Sequence, residues 1–272
     1  MAKCEYTPKT LDDQIIKDGL CAVSELSQDP ISRDKFYVVG GMATQTYLPS
    51  RCRRGTCDID LAVLSRLNKE DFRVFSRRAR EYLEDNGYTL RDRKSQCAFV
   101  LEYFDENGVC FIEFPRFSEK RFGEKYDALK REREHANVKI MEGTYETCFF
   151  ANQVDIVVPK LVRSINSLKR NPVFERYLGG ARQSLSDDLV VQSLRDIEEL
   201  KREAMERPDD AEQGELLKFV SDLYDIRILS EIAGLNPNYF NISASAWNTL
   251  NEKSWERDLI ARTVLPSGFL EQ

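Results

Sequence analysis

Hydrophobic and polar positions change their period along the chain. Leu11, Ile15, Ile16, Leu20, Val23 and Leu26 recur at helical spacing, which predicts a leading amphipathic helix over Leu11–Leu26. Phe36-Tyr37-Val38-Val39 is a short aromatic and β-branched run closed by Gly40-Gly41, the pattern of a buried strand entering a turn. Met42–Leu48 accommodates a short helix, Pro49–Gly55 is an arginine-rich loop, and Asp58–Leu64 (DIDLAVL) predicts a second strand. Lys69–Glu84 is patterned as a charged amphipathic helix that exits through Asp85-Asn86-Gly87. Strands are expected at Tyr88–Leu90, Ala98–Phe104 and Val109–Phe114, the last two joined by the turn Asp105-Glu106-Asn107-Gly108. Val138–Met141 and Thr147–Phe150 add short strands.

Beyond about Val154 the period becomes helical, with helices expected near Pro159–Arg170, Ser186–Glu206, Gln213–Ala233 and Ser243–Arg262. Pro159 suits a first helical turn, where its missing N–H costs nothing. The fold class is therefore α+β: a mixed sheet with flanking helices over 1–150, then an all-α helical domain over 151–272. No repeat or low-complexity tract interrupts it.

Composition narrows the chemistry. With 272 residues, 42% of them apolar and 32% charged, the chain buries a core without disulfides. The long uncharged stretch Ile232–Asn251 carries five asparagines and a proline and so is no membrane helix. No apolar signal-peptide core opens the chain, and its seven cysteines include no C-x-x-C pair, so reduced thiols in a cytoplasm are expected. A single histidine, His135, argues against His-based triads and multi-His metal sites, leaving carboxylates, lysines and hydroxyls. A net charge of −6 argues against a generic nucleic-acid coat, but it is unevenly spread. Arg51–Lys94 holds 12 bases to 8 acids, whereas Gln183–Glu215 holds 11 acids to 4 bases. The acidic block is read as a solvated helix face.

One constellation carries chemistry. Asp58 and Asp60 sit two apart in a predicted strand, so both carboxylates project from one face. Adjacent carboxylates repel unless a cation lies between them, and Mg²⁺ takes one or two carboxylates together with phosphate oxygens and water. Gly40-Gly41, between strand and helix, lets backbone N–H groups approach an anion with no Cβ in the way. Thr56 adds a hydroxyl and Arg54 a phosphate-pairing guanidinium. Glu113, an acid in the otherwise apolar run Val109–Phe114, either completes the carboxylate set or pairs with Arg116 as a structural ion.

The pattern GG…RxTxDIDL, here Gly40-Gly41 and Arg54-Gly55-Thr56-Cys57-Asp58-Ile59-Asp60-Leu61, resembles the nucleotidyltransferase superfamily of polymerase-β type. Within it, the sequence is similar to the AbiEii-like toxins of type IV toxin–antitoxin systems. That group carries, in a helical C-terminal half, a lysine in a K-L-x-x-(S/A)-(I/L) setting and a D-L-Y-D-I signature. Here these are Lys160-Leu161-Val162-Arg163-Ser164-Ile165 and Asp222-Leu223-Tyr224-Asp225-Ile226. The resemblance implies transfer of a nucleoside monophosphate from an NTP, with Mg²⁺ or Mn²⁺, to an acceptor hydroxyl such as a tRNA or other RNA 3′ end. It also implies a separately encoded antitoxin partner, a triphosphate neutralised by Arg54 and Lys160, and a site role for Asp222 or Asp225. The chain departs from the family in two spacings: sixteen residues separate Gly41 from Asp58, and the acidic helix intervenes between Lys160 and Asp222.

Read on their own residues, these last positions keep alternatives. Lys160 at a helix start opposes the macrodipole unless an anion compensates it, yet many exposed lysines sit at such starts. Asp222 and Asp225 share a helical face as site residues, as a surface pair, or as partners of Arg227 or Lys218. A protein or small-molecule acceptor, or an inactive nucleotide- or partner-binding module, is the rival to RNA transfer. Among weaker signals, His135 reads as solvated inside the helix-like run Asp127–Val138, and Trp247 and Trp255 as one packing face. Arg77–Arg80 and Arg91–Lys94 meet a phosphate chain or merely solvent, and Phe111, Phe114, Phe117 and Phe122 read as core unless one ring stacks on a base.

Overall fold

The structure, a computed structural model, describes residues 9–56, 58–106, 108–140, 147–179, 186–207, 209–266 and 269. Cys57, Asn107 and Met141, each part of a pattern above, lie outside the described residues, as does Cys4. The chain divides into two compact units: Met1–Thr46 with Arg53–Asn152, and Tyr47–Cys52 with Gln153–Gln272.

The first unit is built on one seven-stranded mixed sheet. Its elements run α1 (Gln14–Glu25), β1 (Phe36–Val39), α2 (Gly40–Gln45), β2 (Asp58–Val63), α3 (Lys69–Phe75), α4 (Arg77–Asp85), β3 (Thr89–Lys94), β4 (Ala98–Asp105), β5 (Gly108–Pro115), α5 (Glu119–Glu134), β6 (Asn137–Ile140) and β7 (Thr147–Phe150). The strand order is β3-β4-β5-β2-β1-β7-β6. Strand β2 lies parallel to β5 and β1 parallel to β7, while the other neighbours are antiparallel. Phe36, Tyr37 and Val38 are fully buried, which is why that run shows no alternation.

Helices α1 and α3 lie on one face of the sheet, and α5 on the other, where the Tyr37 hydroxyl donates to Glu132 Oε2 at 2.7 Å. Phe72 of α3 stacks on Phe99 at 5.2 Å and meets Phe114 edge-on at 5.2 Å, and Phe75 closes on Phe114 at 6.1 Å. Gly19 lets α1 lie against Tyr103, whose hydroxyl donates to the Ile15 carbonyl at 2.9 Å. Residues of opposite parity, including Asp58, Asp60 and Glu113, therefore point to the other face. The helix expected over Lys69–Glu84 is two, because Ser76 leaves helical geometry and bonds the Phe72 carbonyl at 2.7 Å. Strand β3 runs four residues past its expected end, its polar residues tolerated at the sheet's edge. His135 is not within a helix but ends α5, exposed, and Val138 belongs to β6.

Among its described residues the second unit is helical apart from turns and loops: α6 (Gln153–Arg170), α7 (Asp187–Glu206), α8 (Ala211–Ile228), α9 (Pro237–Ser245), α10 (Asn248–Asn251) and α11 (Trp255–Val264). Helix α6 starts six residues before Pro159, so Pro159 lies inside it rather than in its first turn. Proline removes one helical bond there, and burial of Val154, Val157, Val158 and Leu161 holds the turn regardless. A π turn over Leu229–Ala233 extends α8 and ends at Gly234, whose φ of 73° favours glycine. The single helix expected over Ser243–Arg262 is three: Asn236 caps α9 by accepting from Tyr239 N at 3.1 Å, and Ser254 caps α11 by accepting from Arg257 N at 3.2 Å. Trp247 precedes α10 as its extended N-cap while Trp255 opens α11, and Trp255 is 52% exposed, so the two share no helical face. Among the described residues, Cys21, Cys52, Cys97, Cys110 and Cys148 are not in disulfides. No helix among the described residues is long and apolar enough to cross a membrane.

Candidate active site

Strand β2 lies at the middle of the sheet, flanked by β5 and β1, and this places its acids beside both neighbours. Asp60 stands opposite Val39 on β1 and in register with Glu113 on β5, while Asp58 is in register with Phe111. Asp58, Asp60 and Glu113 are half-buried on one face, and Ile59 between the two aspartates is fully buried on the other.

The glycine elbow closes against these acids. Gly40 has φ +71°, and a Cβ there would lie 2.1 Å from Asp60 Oδ2, so neither the backbone nor the space admits a side chain. A Cβ on Gly41 would come within 3.1 Å of Arg54 Nη2 and 3.5 Å of Thr56 Oγ1. The Thr56 hydroxyl donates to Asp58 Oδ1. One glycine is therefore fitted to Asp60 and the next to the cation and hydroxyl. Helix α2 has only six residues, so the elbow leads into a single short helix.

The arginine-rich loop divides its charges. Arg53 pairs with Asp12 at 2.9 Å, and Arg51, in the second unit, pairs with Asp187 at 3.4 Å; Arg54 is the one at the elbow. Thr56 is held by an antiparallel bridge to Lys9, with Lys9 N to Thr56 O and Thr56 N to Lys9 O both 2.8 Å. Lys9 carries no local signal for this, because a bridge between distant segments leaves no periodicity in either. Arg116, the alternative partner considered for Glu113, donates to the Ser95 carbonyl at 3.1 Å and lies over the Phe99 ring.

Two aspartates facing one way are a hard, anionic donor set that suits Mg²⁺ or Mn²⁺ completed by phosphate oxygens and water. Among the described residues no group of three or more His, Cys, Asp or Glu could hold a metal ion. Parallel pairing sets Glu113 one strand away from Asp60, about 4.8 Å between backbones.

Lys160, Asp222 and Asp225 come together, but as a buried charge cluster inside the helical unit. Lys160 Nζ donates to Asp225 Oδ2 at 2.8 Å and to Asp222 Oδ1 at 3.1 Å, and Arg163 Nη2 donates to Asp222 Oδ1 at 2.6 Å. Lys160 is 4% exposed and Asp222 and Asp225 no more than 1%, so the aspartates are not a surface pair and Lys160 is not a helix-start lysine. Arg227 instead pairs with Glu231 at 3.0 Å. Burying these ions demands mutual pairing, which the cluster supplies.

No family model matches the sequence, and no curated protein does. In structure the chain is similar to an antigenic nucleotidyltransferase-like protein from Paracoccidioides brasiliensis, at 11% identity, over 98% of this chain and 100% of that one, with a TM-score of 0.41.

Proposed function

We propose that this protein is a metal-dependent nucleotidyltransferase. An acceptor hydroxyl oxygen bonds to the α-phosphorus of a nucleoside triphosphate, the bond from that phosphorus to the bridging oxygen breaks, and pyrophosphate leaves with its electron pair. The observation that carries this reading is the fit of Gly40 against Asp60, with Arg54 and Thr56 beside Gly41 and Thr56 bonded to Asp58.

Asp58 and Asp60 would hold the metal ion, which when bound neutralises charge on the phosphate oxygens. Thr56 keeps the Asp58 carboxylate turned toward the elbow, and Arg54 pairs with a phosphate oxygen of the NTP. Gly40 leaves room for the Asp60 carboxylate and Gly41 for Arg54 and Thr56, so these groups can stand close to the elbow. Glu113, beside Asp60 and on the same face, is assigned to accept the proton of the attacking hydroxyl. Lys160 with Asp222 and Asp225 would act by holding the helical unit rather than by meeting phosphate, since each is already matched by opposite charge.

The resemblance to the toxin group supports an RNA 3′ end as the acceptor and a cognate antitoxin as partner. Labelled NTP with Mg²⁺, incubated with total RNA and separately with total protein, tests this. Labelled RNA without labelled protein is expected, and labelled protein would give the acceptor to the rival. Asp58→Ala and Asp60→Ala should each abolish pyrophosphate release with an unchanged thermal midpoint; full activity in either sinks the metal role. NTP binding with no pyrophosphate release under any divalent metal would mark a binding module instead.

A further inference from the structure

The sheet register joins two features that lie apart in sequence. Reading outward from β2 on the face that carries the acids, one row runs Asp58, Phe111, Glu102, Arg91, and the next runs Asp60, Glu113, Val100, Arg93. A half-buried aromatic ring thus stands directly beside the acid pair. Two exposed arginines stand at the sheet's edge three strands away, about 14 Å at the usual strand spacing.

The arginines are fixed in place. Arg93 donates to Glu102 Oε1 at 2.7 Å and its guanidinium lies 5.9 Å from the centre of the Phe111 ring; Arg91 lies 5.6 Å from that of Phe104. Val100 and Glu102, between the arginines and the acids, are 8% and 5% exposed although they face away from α1 and α3, and Glu102 pairs with both Arg91 and Arg93. The guanidinium heads of Arg91 and Arg93 stay in solvent, half or more exposed.

We propose that this face is the track for the acceptor, a single-stranded nucleic acid whose end lies at Asp58 and Asp60. A base near that end stacks on Phe111, and the phosphates that follow meet Arg91 and Arg93. Rings beside cations suit a single strand, because stacking needs an unpaired base and guanidinium groups need the phosphate chain. Cations on an edge strand also deter self-pairing, but that role requires no ring beside the acids. The proposal rests on nucleotidyl transfer only for what the strand is bound for.

The test is fluorescence anisotropy of a short labelled single-stranded RNA titrated with the full chain over a salt series, without NTP or metal. Transfer chemistry and strand binding are then read separately. Phe111→Leu should weaken binding roughly five- to hundredfold with the salt slope unchanged, and Phe111→Tyr should keep it. Arg91→Ala with Arg93→Ala should lower the slope of log affinity against log salt by about 0.7 for each phosphate no longer neutralised, and Arg93→Lys should retain its share. Thermal midpoints certify that the variants fold. Unchanged affinity and slope in both variants overturn the proposal, as does equal binding of the matching duplex. Loss of NTP binding but not of RNA binding in Phe111→Leu also overturns it, because the ring would then serve the nucleotide.

Discussion

Gly40 and Asp60 are fitted to each other: the position a Cβ would take on Gly40 lies 2.1 Å from the Asp60 carboxylate oxygen, at a backbone φ of +71°. Gly40→Ala therefore imposes two costs, left-handed strain of about 1–2 kcal/mol and displacement of the carboxylate. Denaturant unfolding should show the first, and weakened Mg²⁺–NTP binding by calorimetry the second. Gly41→Ala, which meets Arg54 only at 3.1 Å, should be milder on both measures.

Thr56 bonds Asp58, so its hydroxyl governs where that carboxylate points. Thr56→Val keeps the shape and removes the donor. Mg²⁺–NTP affinity is expected to fall about tenfold or more, as for a bond to a charged group, and Thr56→Ser should restore it. Equal affinity in Thr56→Val would show that Asp58 is held by something else.

Lys160 neutralises two carboxylates that are almost wholly buried. Lys160→Met should destabilise the protein by about 3–5 kcal/mol by removing the ammonium between the two buried carboxylates, of which Asp222 keeps Arg163. Adding Asp225→Asn should recover part of that loss in chemical denaturation. Were the single variant as stable as the wild type, the cluster would not be a stabilising pair.

Burial, reinforced by the charge of Arg53, lowers the Lys139 ammonium to about 8, while its Nζ donates to the Thr46 carbonyl at 2.6 Å. The unfolded lysine titrates near 10.5, so between pH 8 and 10.5 the unfolded chain binds more protons than the folded one. This group's penalty is complete below pH 8 and relieved above 10.5, so its contribution makes stability rise with pH across that window. Lys139→Met should flatten that rise in urea midpoints measured over the window. In acylation at limiting reagent near pH 8, Lys139 should label ahead of exposed lysines.

The acid pair was legible because its signal is local. Alternation within Asp58-Ile59-Asp60 puts two side chains on one face wherever the strand lies, and a strand ending in two glycines makes a turn from its own residues. Pairing partners were not legible in that way. Whether Glu113 sat beside Asp60, and whether Lys160 met a ligand or two aspartates, depended on which strands and helices became neighbours. Helix limits failed where tertiary burial outweighed local preference, as at Pro159, and where a capping side chain stopped a helix that apolar spacing alone would have continued, as at Ser254.

By itself the sequence determined an α+β chain with a mixed half and a helical half, and a strand whose two aspartates face together behind a glycine pair, because backbone period and glycine's missing Cβ act over a few residues. Only the tertiary structure decided that Gly40 abuts Asp60, that Lys9 pins Thr56, that Lys160 is buried among carboxylates, and that Phe111 and the β3 arginines share the acids' face. Those relationships arise from the register of strands and the packing of helices far apart in the chain, which no local pattern encodes.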